Sequence, residues 1–212
     1  PRKEWAFRKA QLCIATRELA SAESLLVDLR LDGDHDPLVD HDVAYVRLLQ
    51  GRHAACRDIV APWIDLRPGS GMGAPPDVLD VLQMLWLRSM HGEHLLEDAW
   101  AWVQEARAKG VLLSRAAGVA SLIAIDRADF PAARELADAS LRGESCPLEA
   151  FVARASVALA ERNGQHAKQL LQQAHVLHPE DGRVHSTMGM ACMLMRELEP
   201  AQRHLELAHT RI

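Results

Sequence analysis

The chain has 212 residues, of which 49% are hydrophobic and 4% aromatic, and its formal net charge is -5 at pH 7. Because Lys and Arg are scattered without a basic stripe, we expect no nucleic-acid partner, whose affinity would depend on phosphate neutralisation. No apolar run reaches the length of a membrane span, and no run of β-forming residues alternates at period two. These exclusions leave a helical protein.

The N-terminal third predicts two helix pairs. The first pair covers 1–31 and breaks near Arg17, and the polar stretch from Asp32 to Pro37 ends it. Its helices carry small and apolar residues at helical spacing: Ala6, Ala10 and Cys13, then Ala22, Leu26 and Leu29. The second pair turns at Gly51, with Val39, Val43 and Val46 before the turn and Ala55 and Ile59 after it. Its register stays open by about one residue.

Residues 67–77 interrupt the helical pattern with glycines and prolines, which cannot continue a helix. We expect an exposed loop here, because insertions in repeat proteins map to loops. The run from Gly69 to Gly73 lacks the Gly-Lys-Ser/Thr of a phosphate loop and the preceding strand of a dinucleotide site. A flexible connector is the expected role.

An internal repeat of 34 residues follows, in rows that start at Asp80, Ser114, Leu148 and Gly182. Its twentieth column contains alanine in every row: Ala99, Ala133, Ala167 and Ala201. Seven residues later every row again has a small residue: Ala106, Ser140, Ala174 and Ala208. This spacing forms one stripe of a helix, and small residues let that helix pack tightly between its neighbours. We therefore expect the column-20 alanines to be buried.

The row from Leu148 to Asp181 resembles the tetratricopeptide repeat family, with Ala155, Ala167, Leu171, Ala174 and Pro179 at the family's positions. The columns in which the family usually has Trp and Tyr differ here. The resemblance implies an all-α, right-handed α-solenoid of about six antiparallel helix hairpins. It implies one such domain over 1–212, with repeats near 1–36, 37–70, 80–113, 114–147, 148–181 and 182–212. Because the sequence begins at Pro1 rather than Met, we expect this domain to be a fragment of a longer chain.

The family's geometry also implies which columns of each first helix line a concave groove. The candidate partner-binding residues are Met84, Arg88, Arg115, Leu122, Ile125, Val152, Ser156, Leu159, Arg183, Met190 and Met193. This set is unusually apolar for a solvated groove, so it fits an apolar peptide or an amphipathic helix. Two alternatives stay open: a flanking segment covers the groove, or the assumed helix rotation is wrong by one residue.

Two histidine clusters are the nearest approach to a metal site. His91 and His94 lie near Glu97, and His175 and His178 lie one helical turn apart, with His185 beyond them. Neither cluster supplies a complete ligand set, and both fall at turns and helix ends. No nucleophile with an adjacent base has a local signature. We therefore expect no metal, no cofactor and no enzymatic activity.

The four cysteines are Cys13, Cys56, Cys146 and Cys192. They form no CxxC pair, so free thiols in a reducing cytoplasm are expected, although two disulfides stay open on number alone. A cytoplasmic location is the corresponding expectation for the chain.

The expected function is a protein–protein interaction scaffold. The alternatives are a ligand-sensing or regulatory repeat segment of a larger bacterial protein, and the non-catalytic repeat arm of a multidomain enzyme. The last row ends without a capping helix, so Leu194, Leu198, Leu205 and nearby methionines are expected to meet water. Further repeats, or self-association through this C-terminal repeat, would cover them; otherwise the polar side of the last helices faces outward.

Overall fold

A computed structural model describes residues 2–31, 36–66, 73–143 and 146–210. Within these ranges the chain forms helices and no strand, which confirms the all-α prediction. The helices are α1 (Arg2–Ala15), α2 (Leu19–Leu31), α3 (Pro37–Leu49), α4 (His53–Val60), α5 (Pro76–Gly92), α6 (Leu96–Ala108), α7 (Ser114–Asp126), α8 (Phe130–Leu141), α9 (Leu148–Ala160), α10 (Gly164–Leu177), α11 (Gly182–Leu194) and α12 (Leu198–Thr210). None of the described helices is long and apolar enough to cross a membrane.

Consecutive helices pair into hairpins, from α1 with α2 to α11 with α12. The chain divides into two compact units, Pro1–Leu112 and Leu113–Ile212. In the first unit the first helices of successive hairpins, α1, α3 and α5, contact one another in that order. In the second unit α7, α9 and α11 do the same. The organisation of 1–212 as a single solenoid stays a prediction.

Each hairpin turn contains one residue in the left-handed backbone region. Five of these residues are not glycine: Arg17 (φ 63°), His94 (57°), Ala128 (59°), Arg162 (60°) and Arg196 (62°), and the sixth is Gly51 (72°). The amide of the following residue donates to a carbonyl five residues back, as from Asn163 to Ala158 at 2.8 Å. This is the Schellman ending of a helix, and it fixes where each hairpin reverses.

Replacing Ala128 by glycine is therefore expected to stabilise the chain by about 1 kcal/mol, because a side chain at positive φ is strained and glycine is not. The same change at Ala139, an exposed position within α8, should instead destabilise by about 0.5–1 kcal/mol. Urea unfolding of both variants checks the pair. If both variants changed the free energy of unfolding in the same direction, the assigned turn would be contradicted.

The small residues predicted to be buried are buried. Ala99, Ala133 and Ala167 are fully inaccessible and Ala201 is 3% exposed. The second hairpin differs from expectation by one residue: its turn residue Gly51 aligns with Arg162, so Cys56 takes the position of Ala167. Cys56 is fully buried, whereas Ala55 is not. The apolar pattern of this short helix allowed either register, and only the turn decides.

The predicted loop at 67–77 is too long at its C-terminal end. Helix α5 begins at Pro76, where a proline suits the first helical position because its missing N–H would be unpaired anyway. Residues 67–72, with most of the Gly69–Gly73 run, lie outside the described residues, as do 32–35 between the first two hairpins.

A buried polar contact joins two helices and a turn of the first unit. Asp40 in α3 is 2% exposed. Its Oδ1 accepts a hydrogen bond from Arg30 Nε at 2.7 Å, and its Oδ2 accepts one from Trp63 Nε1 at 2.9 Å. Both carboxylate oxygens are therefore satisfied, and α2, α3 and the turn after α4 are tied together.

Candidate functional site

The candidate site is the surface that the first helices of the second unit share. Helix α7 contacts α9, and α9 contacts α11. Gly118 in α7 allows part of this approach, because a Cβ there would lie 2.9 Å from Pro147 Cγ and 3.2 Å from Ser140 Oγ. Helices α7, α9 and α11 therefore follow one another as neighbours in the second unit.

Each of these three helices carries apolar candidate residues, which together are called the apolar row. Leu122 and Ile125 are half-buried and pack on Ala137, Ala150 and Ala153. Val152 and Leu159 of α9 are also half-buried. On α11, Met190 is 44% exposed and Met193 is 53% exposed. The row is thus anchored in the core at its base and presents apolar atoms to solvent.

The polar candidates on the same helices are partly engaged. Ser156 Oγ donates to the carbonyl of Val152 at 2.9 Å, within its own helix. Arg183 donates to Asp181 through Nε at 3.1 Å and Nη2 at 2.9 Å, and through Nη1 to Glu149 at 3.2 Å. Burial opposes ionisation of Asp181, but the bonds and charge of Arg183 outweigh it and hold the pKa of Asp181 below its ordinary value. Arg183 therefore links α11 to α9.

The remaining candidates, Arg115, Met84 and Arg88, differ in location and exposure. Arg115 is exposed in the first turn of α7. Met84 and Arg88 lie on α5 in the first unit and are half-buried, and Met84 packs against the core of that unit. The α7–α9–α11 surface is therefore described by residues of the second unit alone.

The histidines of the two candidate clusters lie mostly at turns and helix ends, as the sequence indicated. His91 closes α5, His94 is the left-handed turn residue, and Glu97 lies in the first turn of α6. His178 caps the end of α10. His175 and His185 do meet, with ring centroids 5.2 Å apart.

A third ring, His204 of α12, completes this group at 5.3 Å from His185. The sequence did not indicate His204, because it lies on the other helix of the hairpin. The two Nδ1 atoms are 3.1 Å apart, and His185 Nε2 lies 3.3 Å from the carbonyl of Pro179. An Nε2–H on His185 satisfies both contacts, with its Nδ1 accepting from His204. Among the described residues, no group of three or more His, Cys, Asp or Glu side chains is arranged to hold a metal ion.

Stability should fall as pH decreases through the histidine range. Burial lowers the pKa of His204, and the charges of His185, His175, Arg203 and Lys168 lower it further from 6.5. The unfolded chain then binds the proton first, so the contribution to stability is complete above pH 6.5 and is lost as pH falls below it. Between pH 7.5 and about 5.5, the melting temperature of the His204→Gln variant should fall by less than that of the unmodified chain. An equal loss in both proteins would contradict this assignment.

Zinc is expected to leave the melting temperature of the metal-free chain nearly unchanged, because the Nδ1 atoms of His185 and His204 bond each other. Differential scanning fluorimetry at micromolar zinc checks this. A rise of several degrees that is lost in His175→Ala or His91→Ala would overturn it.

The C-terminal helix leaves apolar residues exposed, as the sequence indicated for two of its leucines. Leu198 is 72% exposed and Leu205 is 40% exposed, whereas Leu194 is half-buried and Met188 is 4% exposed. Leu198, Leu205 and Met193 line an open depression of about 610 Å³ together with Ala201, Gln202, Glu206, His209 and Thr210. Apolar and polar side chains therefore share this face of α12.

The sequence matches no family profile and no curated protein. Solved structures show the fold. A tetratricopeptide repeat protein from Parabacteroides merdae ATCC 43184 superposes with a TM-score of 0.58 at 13% identity, over 99% of this chain and 79% of that one. MamA AMB-1 superposes with a TM-score of 0.51 at 13% identity, over 84% of this chain and all of that one. The repeats therefore have the tetratricopeptide fold, as the residues from Ala155 to Pro179 indicated.

Proposed function

We propose that the chain is a protein-interaction scaffold whose α7–α9–α11 surface binds an apolar peptide or an amphipathic helix. The apolar row across three adjacent helices carries this proposal. It consists of Leu122, Ile125, Val152, Leu159, Met190 and Met193. Arg115 and Arg183 lie at the N-terminal ends of α7 and α11. Because Arg183 is paired with Asp181 and Glu149, the proposal rests on the apolar side chains.

The arrangement suits peptide recognition for physical reasons. A protein surface gains most of its binding energy from a few apolar anchors that lose their water on contact. Half-buried residues such as Leu122 and Leu159 are already held by their neighbours, so ordering them costs little. Exposed methionines add an adaptable contact, because their unbranched side chains fit partners of different shape.

A peptide-display selection against the whole chain tests this proposal. We expect it to enrich sequences with apolar residues at helical or alternating spacing. Leu159→Glu and Met190→Glu should each lower the affinity for a selected peptide by about tenfold or more, since a buried charge at an anchor costs at least about 1.4 kcal/mol. Val176→Glu is the matched control, because Val176 is 80% exposed on α10, outside this surface. The affinity of this variant for the selected peptide should change by less than about twofold.

Two results would contradict the proposal. One is a selection that yields no peptide dependent on Leu159 or Met190. The other is a set of peptides that Val176→Glu weakens as strongly as the surface variants. The ligand-sensing and repeat-arm alternatives, the cytoplasmic location and the absence of enzymatic activity stay predictions.

A further inference from the structure

Within the second unit, the second helix of each hairpin receives the first helix of the next hairpin. Between α8 and α9, Ala137 packs on Ala150 and Ala153. Arg154 Nε on α9 donates to Asp138 Oδ1 on α8 at 2.8 Å. This receiving face therefore combines a small apolar centre with an acidic residue that pairs with a cation on the incoming helix.

The next junction uses equivalent positions. Leu171 of α10 packs in one cluster with Met188 and Ala191 of α11. Gly164 begins α10 so close to α11 that a Cβ there would lie 2.8 Å from Met195 Cγ. The receiving face is thus repeated along the unit with different side chains.

Helix α12 presents the same positions without an incoming helix among the described residues. One repeat after Gly164 and Leu171 come Leu198 and Leu205, and two repeats after Asp138 comes Glu206. All three line the 610 Å³ depression. The depression therefore has the positions that form the receiving face on α8 and α10, with an acidic residue where α8 uses one.

Helix α1 presents the complementary positions. Ala10 and Ala22, both fully buried, have the spacing of Ala155 and Ala167, and Arg17 takes the turn position of Arg162. This alignment places Trp5, Lys9 and Leu12 at the positions of Ala150, Arg154 and Val157 in α9.

The exposure of these α1 residues is the reverse of that in α9. Ala150 and Val157 are fully buried, whereas Trp5 is 62% exposed and Leu12 is 63% exposed. Lys9, at the position from which Arg154 reaches Asp138, stands 5.1 Å over the ring of Trp5. The outer face of α1 is therefore apolar with a cation, and the face of α12 is apolar with a carboxylate.

From this complementarity we infer that α1 of one copy of the chain docks on α12 of a second copy, with Lys9 facing Glu206 and Trp5 and Leu12 covering the depression. The contact uses different surfaces on the two copies, so it adds copies head to tail. It uses α1 and α12, shares Met193 with the edge of the α7–α9–α11 surface, and stands whether or not that surface binds a peptide.

Two variants test this docking by sedimentation velocity on the whole chain. Trp5→Asp disables the α1 face and Leu198→Asp disables the α12 face; both residues are mostly exposed, so folding should be kept. The unmodified chain should grow in mass with concentration, and each variant alone should stay monomeric. An equimolar mixture should form a one-to-one dimer and nothing larger, because one intact face of each kind remains.

Charge exchange gives a second readout that does not depend on the apolar variants. Lys9→Glu and Glu206→Lys should each weaken association about tenfold, and the double variant should recover it. Val176→Asp should associate like the unmodified chain. The inference is overturned if the unmodified chain stays monomeric at high concentration, if the mixture of apolar variants stays monomeric, or if either apolar variant still associates alone.

Discussion

Replacing Asp40 by alanine is expected to lower the free energy of unfolding by about 3 kcal/mol, because it breaks a buried polar contact. The carboxylate is 2% exposed and accepts bonds from Arg30 and Trp63. Its removal leaves the indole N–H of Trp63 without that acceptor inside the protein, and a buried unpaired donor costs about 1–3 kcal/mol. Arg30, which keeps part of its side chain in water, recovers some hydration.

Tryptophan fluorescence during urea unfolding measures this effect directly, because all five tryptophans fall within 1–112. Asp28→Ala, at an exposed position on α2, is the matched control and should change stability by less than about 0.5 kcal/mol. Asp40→Asn should fall between the two, since it keeps an acceptor oxygen and loses the charge. A loss in Asp40→Ala no larger than in Asp28→Ala would show that the contact contributes nothing to folding.

Replacing Ala167 by leucine should overpack the centre of the second unit and cost about 1–3 kcal/mol. Ala167 is fully buried among Ala155, Ala158, Leu171 and Ala201, which leave no room for three additional carbons. The two helices of the hairpin and the neighbouring α11 would have to move apart. Far-UV circular dichroism during thermal and urea unfolding measures the loss.

Ala160→Leu makes the same chemical change at an exposed end of α9 and should alter stability by less than about 0.5 kcal/mol. An unchanged unfolding midpoint for Ala167→Leu, or an equal shift for both variants, would contradict the repeat phase that places Ala167 between helices.

The repeat was predictable because small residues at fixed spacing have one physical use, the close approach of two helices. Ala99, Ala133, Ala167 and Ala201 could be placed in the core from that spacing alone. The turns were less visible. Arg17, His94 and Arg162 adopt positive φ where glycine would be the usual signal, so their residue types did not indicate the turn conformation.

Contacts between residues far apart in sequence were not predictable. Asp40 lies in α3 and Trp63 in the turn after α4, and His204 contacts His185 across a hairpin. No local spacing indicates either pair. The α12 depression was anticipated from the exposed leucines, but its match to the outer face of α1 required the burial of both helices to be known.

The ion pairs of Arg183 could also be identified only from the structure. Its column suggested a groove cation, but the guanidinium bonds Asp181 and Glu149. An ion pair across two repeats is not encoded in either repeat alone, so the sequence could place Arg183 on the helix without giving its partner.

Methyl NMR of the chain labelled at its methionines tests the proposed binding surface most directly. Met190 and Met193 are exposed on α11, whereas Met90 is 6% exposed in the first unit. On titration with a display-selected peptide, we expect the methyl signals of Met190 and Met193 to shift in proportion to binding while that of Met90 stays unchanged. A peptide that binds the chain and leaves both α11 methyl signals in place would contradict the claim that the α7–α9–α11 surface is the binding site.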